Sequence, residues 1–82
     1  MTPQDLKPGE GAVLPVNGED VACYNDNGTL NCASAICTHQ GCTVDWNADD
    51  KTFDCPCHGS RYHKDFSVLN GPAEEPLEPR EL

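Results

Sequence analysis

Positive charge is scarce in this chain, with 5 Lys and Arg against 14 Asp and Glu and a formal net charge of -9 at pH 7. DNA and RNA are thereby excluded as natural partners, because their phosphates would be repelled at close range, whereas a basic protein surface would be attracted. Long apolar runs are missing as well. No stretch approaches the roughly 20 residues that a membrane-spanning helix requires, so no membrane span is expected. The opening Met1-Thr2-Pro3-Gln4-Asp5-Leu6 has neither a basic start nor an apolar stretch, so it does not read as a secretory signal and a cytoplasmic location is expected. Nor is there a pattern for a long amphipathic helix: 7 Gly and 7 Pro punctuate the chain, and apolar positions recur with period two. At 82 residues the chain makes one small domain, residues 1–82, and a monomer is expected. A core of this size holds a fold with difficulty, so additional staples are expected.

What the chain has in excess is cysteine. Six occur, Cys23, Cys32, Cys37, Cys42, Cys55 and Cys57. Such a density means either a disulfide framework or a metal site, and the spacing favours metal. The last four fall in two tight groups that each include a histidine, His39 and His58.

The strand pattern makes the class all-β. Ala12 to Val16 and Val21 to Tyr24 flank Asn17-Gly18, a dipeptide suited to the positive φ angles of a tight hairpin turn. A second hairpin turns within Asn25-Asp26-Asn27-Gly28 and returns with Leu30, Cys32 and Ile36 directed toward a core. A two-residue turn at Asn27-Gly28 would set Cys23 opposite Cys32, whereas a four-residue loop would set it opposite Leu30. In either register both are read as buried free thiols, small core hydrophobes. Val44 and Trp46 share one face before the polar turn Asn47-Ala48-Asp49-Asp50, and Phe53 begins the return. Trp46 and Phe53 read as core. Further on, Tyr62, Phe66, Val68 and Leu69 alternate with polar residues around a turn at Lys64-Asp65, and His63 reads as solvated. The acidic, Pro-rich Glu74 to Pro79 reads as an extended edge or tail, since proline cannot serve in a central strand.

The two cysteine groups are Cys37-Thr38-His39-Gln40-Gly41-Cys42 and Cys55-Pro56-Cys57-His58-Gly59-Ser60. In an extended segment, side chains two apart point the same way, so Cys37 and His39 can face one bound object. In the second group Cys55 and His58 flank a turn shaped by Pro56 and Gly59, and they form the better ligand pair. Cys42 and Cys57 are left over, one in each loop, in a position to bridge the loops or to remain as two free thiols. A Cys2His2 set admits a structural zinc, which would make the chain a zinc-binding interaction module. Zinc sites, however, usually draw on C-x(2-4)-C and H-x(3-5)-H pairs, whereas here each loop supplies one Cys and one His. That mixture suits two metals, with thiolates on one iron and imidazoles on the other, as in a Rieske centre.

These boxes resemble those of the Rieske iron-sulfur domains, which usually read CTHLGC and CPCHGS in the disulfide-containing branch found in cytochrome bc complexes. The likeness extends to Ser60, Tyr62 and Gly71-Pro72-Ala73. It implies a small antiparallel β-sandwich that holds a [2Fe-2S] cluster at one tip between loops 37–42 and 55–60, under a covering loop at 71–73. By the resemblance Cys37 and Cys55 ligate one iron, His39 and His58 ligate the other, and Cys42 and Cys57 form a disulfide. Ser60 would hydrogen-bond a bridging sulfide and Tyr62 a cysteine sulfur. Gln40 departs from the leucine usual in the first box, which leaves the apolar cap over the cluster in question.

The implied function is one-electron transfer, with the chain as a component of an oxidoreductase system and not an enzyme on its own. The NGPA-PLEP-like ending looks most like a Rieske module fused to FAD-dependent oxidoreductases, or a free ferredoxin. The soluble head of a quinol-oxidising cytochrome bc-type complex is the alternative. The expected partner is a redox protein or flavoprotein domain with a basic docking surface. Neutral imidazoles and hydroxyl donors imply a high-potential centre. Solvent-facing histidines would make its potential fall as pH rises.

Overall fold

The computed structural model describes residues 2–37, 41–57, 59–71 and 73–80. After a short 3-10 helix, Pro3–Asp5, come β1 (Gly11–Val16), β2 (Glu19–Asp26), β3 (Thr29–Ser34), β4 (Asp45–Asn47), β5 (Thr52–Asp54), β6 (Arg61–His63), β7 (Val68–Asn70) and β8 (Pro79–Arg80). Two antiparallel four-stranded sheets result, in the orders β1-β2-β3-β8 and β4-β5-β6-β7. The all-β class expected from the period-two pattern and the antiparallel sandwich implied by the resemblance are what form, and among the described residues no helix is long and apolar enough to cross a membrane.

Both Asn-Gly pairs make the tight turns that their chemistry favours. Asn17 and Gly18 have φ of 52° and 80°, Asn27 and Gly28 have 52° and 98°, and positive values at both central residues define the turn that matches strand twist. The second turn is thus two residues long, pairing Asp26 with Thr29 and Cys23 with Cys32. Of the two registers open in the sequence, it is the one that sets the cysteines face to face.

One face of the first sheet supplies Ala22, Tyr24, Ala33 and Ala35 to the main core, where they meet Val44, Phe53, Tyr62 and Phe66. Small residues on this side leave room for aromatics on the other. Trp46 stacks between Tyr24 and Phe53 at centroid distances of 5.6 and 4.9 Å, and Phe53 contacts Phe66 at 5.5 Å. Trp46 also lies across Gly11, where a Cβ would come within 2.7 Å of its ring, so any larger residue at 11 would push the sheets apart. The opposite face of the first sheet carries a separate small cluster of Leu6, Val21, Cys23 and Cys32.

Two expectations need correction. Ile36 is 39% exposed, because it sits in an isolated bridge with Thr43 at the mouth of a loop, beyond the end of β3. Leu69 is 44% exposed, since it neighbours Val68 on a strand and adjacent strand residues face opposite ways. Of the edge and the tail that the acidic end allowed, it forms the edge strand. Leu77 is buried and donates its N–H to the Phe66 carbonyl, the Glu78 carbonyl accepts from Ser34, and Pro79 and Arg80 pair with Ala33 and Cys32. Pro79 is tolerated there because β8 is the last strand of its sheet.

Candidate metal centre

Two loops leave the same end of the sandwich, one joining β3 to β4 and the other joining β5 to β6. They close alike. The Cys37 N–H donates to the Cys42 carbonyl at 2.6 Å and the Gly41 N–H to the Cys37 carbonyl at 3.0 Å. In the second loop the Cys55 N–H donates to the Ser60 carbonyl at 2.7 Å and the Gly59 N–H to the Cys55 carbonyl at 3.1 Å. Gly41 and Gly59 have φ of 75° and 79°, a left-handed conformation that residues with a Cβ adopt at a cost. Each box therefore starts with a cysteine whose carbonyl is capped by a glycine four residues on. That spacing is visible in both boxes, so the closing role of Gly41 and Gly59 could have been read from it.

The base of the second loop carries a charged clamp. Asp54, the residue before Cys55, pairs with Arg61 across β5 and β6. Its carboxylate accepts from Thr52 Oγ1 at 2.6 Å, Asn47 Nδ2 at 3.0 Å and Arg61 Nε at 3.1 Å, while Arg61 Nη2 reaches Asp50 at 2.5 Å. Partial burial alone would raise the Asp54 pKa, but the bonds from Thr52, Asn47 and Arg61 outweigh it and hold the carboxyl below the usual carboxylate range.

Cys42 and Cys57 form a disulfide that ties the two loops together, with 6.5 Å between their Cα atoms. Cys37 and Cys55 stay outside it, each only 2% exposed. The sulfurs of Cys42, Cys55 and Cys57 lie within 4.8 Å of one another, but the disulfide consumes two of them and only Cys55 retains a thiol for a metal. Tyr62 is fully buried on β6 and brings its hydroxyl to 3.3 Å from Cys37 Sγ. Ser60 is equally buried, and its Oγ accepts the Ala73 N–H at 3.1 Å, which ties Ala73 to the second loop without using the hydroxyl proton. His39, His58, Gln40 and Pro72 lie outside the described residues, and with Gln40 the cap position over the centre. Away from this end, His63 is exposed on β6 and takes no part in the site.

Two buried cysteines, one from each of two disulfide-tied loops, with a hydroxyl beside one sulfur, make a pair of thiolate ligands suited to a metal centre. A thiolate needs such donors once water is excluded. The Rieske [2Fe-2S] domain family matches residues 1–80. The chain belongs to that family, whose members bind a [2Fe-2S] cluster and carry electrons.

Among its relatives, the Rieske 2Fe-2S iron-sulfur protein YhfW of Bacillus subtilis is 42% identical over 80 residues, covering 96% of this chain and 16% of that protein. The cytochrome b6-f complex iron-sulfur subunit of Chlorobaculum tepidum is 40% identical over 73 residues, covering 89% of this chain and 40% of the subunit. This chain thus spans less than half the length of either relative. Among solved structures, the plasma membrane Rieske protein PetC3 of Synechocystis superposes with a TM-score of 0.75 at 29% identity, over 87% of this chain and 74% of PetC3. The family assignment decides between iron–sulfur and the zinc-binding module.

Proposed function

We propose that the chain is a one-electron carrier that works with a flavoprotein domain, either as a free ferredoxin-like protein or as a module of a flavin-dependent oxidoreductase, and is not an enzyme on its own. The observation that carries this reading is the pair of buried thiols at one end of the sandwich, Cys37 and Cys55, held in register by the Cys42–Cys57 bridge. In this reading Cys37 and Cys55 hold one iron and His39 and His58 the other, in a single domain covering residues 1–82. The bound cluster supplies reversible uptake of one electron.

The chain's own residues tune that step. Tyr62 donates to the Cys37 sulfur and Ser60 to the cluster side, both drawing electron density from sulfur and favouring the reduced state. The disulfide keeps the loops from separating when the charge changes. Rigid loops require little reorganisation, and that suits a carrier. The match with YhfW, nearly complete for this chain but a small fraction of that protein, supports a module that serves a larger partner.

With a net charge of -9, the chain should dock on basic surfaces. The second reading, a soluble head of a quinol-oxidising complex, draws on the b6-f relative.

Protein-film voltammetry and stopped-flow kinetics test the proposal together. A reversible one-electron wave is expected in the upper part of the roughly -150 to +300 mV span of Rieske centres. Electron exchange with a reduced flavoprotein should slow as salt rises, because complementary charges steer the encounter. A wave near the bottom of that span overturns the high-potential assignment. Exchange with a quinol but with no flavoprotein favours the second reading.

A further inference from the structure

Four cysteines belong to the loops at the tip, and the other two do not. Cys23 on β2 and Cys32 on β3 lie on the outer face of the first sheet, beneath Leu6 and flanked by Val21. They are directly opposite in the register, and their sulfurs are 2.8 Å apart.

The kind of rung matters. Asn25 directs its N–H to the Glu10 carbonyl, on the β1 side, and Cys23, two residues earlier on the same strand, turns its backbone the same way. Ser34 likewise directs its N–H away from β2, to the Glu78 carbonyl, and Cys32 turns with it. The Cys23–Cys32 rung is therefore of the non-hydrogen-bonded type, in which opposite Cα atoms approach to about 4.5 Å. That distance lies within the range that a disulfide spans. The clustered small and apolar neighbours also hold the two thiols against each other with little freedom to diverge.

We infer that Cys23 and Cys32 are a second redox couple of this domain, closing reversibly to a cross-strand disulfide by exchange with a small-molecule disulfide of the glutathione class. Cys32 is the entry point. It is 8% exposed against 0% for Cys23, and it lines a surface groove with Leu30, Pro79 and Arg80 beside the two-residue strand β8. The Cys32 sulfur, as thiolate, attacks one sulfur of the small disulfide, forming a mixed disulfide and expelling one small thiol. The Cys23 thiolate then attacks the Cys32 sulfur, closing the Cys23–Cys32 bond and expelling the second small thiol. Two electrons pass to the oxidant, and the two protons lost by the cysteines end on the two small thiols. Burial pushes both thiols above their ordinary pKa, so few thiolates exist at neutral pH and exchange is slow.

The test uses the intact cluster-loaded protein. Samples are equilibrated anaerobically in glutathione mixtures from reducing to oxidising, denatured in excess maleimide, and read by intact mass and peptide mapping. The label count is expected to fall from four to two as the mixtures become oxidising, with the lost labels on Cys23 and Cys32 and with iron content unchanged. The oxidised form should melt roughly 5 to 15 °C higher, since the bridge constrains the unfolded chain. Full labelling of Cys23 and Cys32 in every mixture that leaves Cys42 and Cys57 bridged overturns the couple. Two variants fix the order of attack: Cys23→Ser should accumulate a glutathione adduct on Cys32, and Cys32→Ser should accumulate much less on Cys23. The reverse preference overturns the assignment of Cys32 as entry point.

Discussion

Two pairs of buried thiols sit in this small protein, and they differ in everything but burial. Cys37 and Cys55 come from separate loops at the tip, and a tyrosine hydroxyl stands 3.3 Å from one of their sulfurs. Cys23 and Cys32 face each other across one hairpin among Leu6, Val21 and Ala12, and each is the other's near polar neighbour. The first pair has beside it a hydroxyl that can stabilise a thiolate. The second lies where burial disfavours one. Being buried does not make a cysteine a ligand. On the proposed reading, what sets the first pair apart is the hydroxyl beside one sulfur and its origin in two loops tied by a disulfide.

Replacing members of each pair breaks the comparison most sharply. Cys37→Ser or Cys55→Ser should lower the iron and visible absorbance per chain by roughly tenfold or more, because metal sites depend steeply on each ligand. Cys23→Ser and Cys32→Ser should leave both within about twofold of the parent. Loss of iron from the second set would erase the distinction.

The next largest effect concerns the bridge beside the first pair. Cys42→Ala with Cys57→Ala opens a link of sequence separation 15 and should cost about 3 kcal/mol by the chain-entropy argument, read as a lower melting temperature. A change near zero would mean that the loops are held by their backbone bonds alone.

Tyr62→Phe removes the hydroxyl that sets Cys37 apart. One hydrogen bond of about 1 kcal/mol corresponds to roughly 40 mV for one electron, so the potential should fall by about 20 to 60 mV in voltammetry. An unchanged potential would reduce Tyr62 to a packing residue.

The smallest effect lies at the base of the second loop. Asp54 is held below its unfolded pKa of about 3.9, so its clamp contributes fully above that value and is lost as pH falls through the lower folded one. Asp54→Ala should cost about 1 kcal/mol at pH 7, and the gap from the parent should narrow in acid denaturation as the carboxyl becomes protonated. A cost independent of pH would assign the loss to packing.

Much of this was legible in the residues. Asn17-Gly18 and Asn27-Gly28 announce their turns because few other dipeptides tolerate two positive φ angles. The two boxes stand out because cysteine and histidine at such short spacing have few other uses. Ile36 and Leu69 misled because hydrophobicity alone does not say which side of a short strand faces the core. The prolines marked the acidic end as an edge or a tail, and the choice of edge is made by one buried residue, Leu77, and by a backbone bond to Ser34 that no side-chain pattern records. The Cys23–Cys32 contact needed the turn length to be known. A shift of two residues would have placed Leu30 there instead.

Pulsed EPR of the reduced protein, prepared with and without 15N-labelled histidine, tests the ligand set at the tip most directly. Nitrogen couplings from two imidazoles that change on labelling are predicted, together with iron and acid-labile sulfide in the amounts of one [2Fe-2S] cluster per chain. A cluster with no histidine nitrogen coupling, held by four sulfurs, would contradict the account.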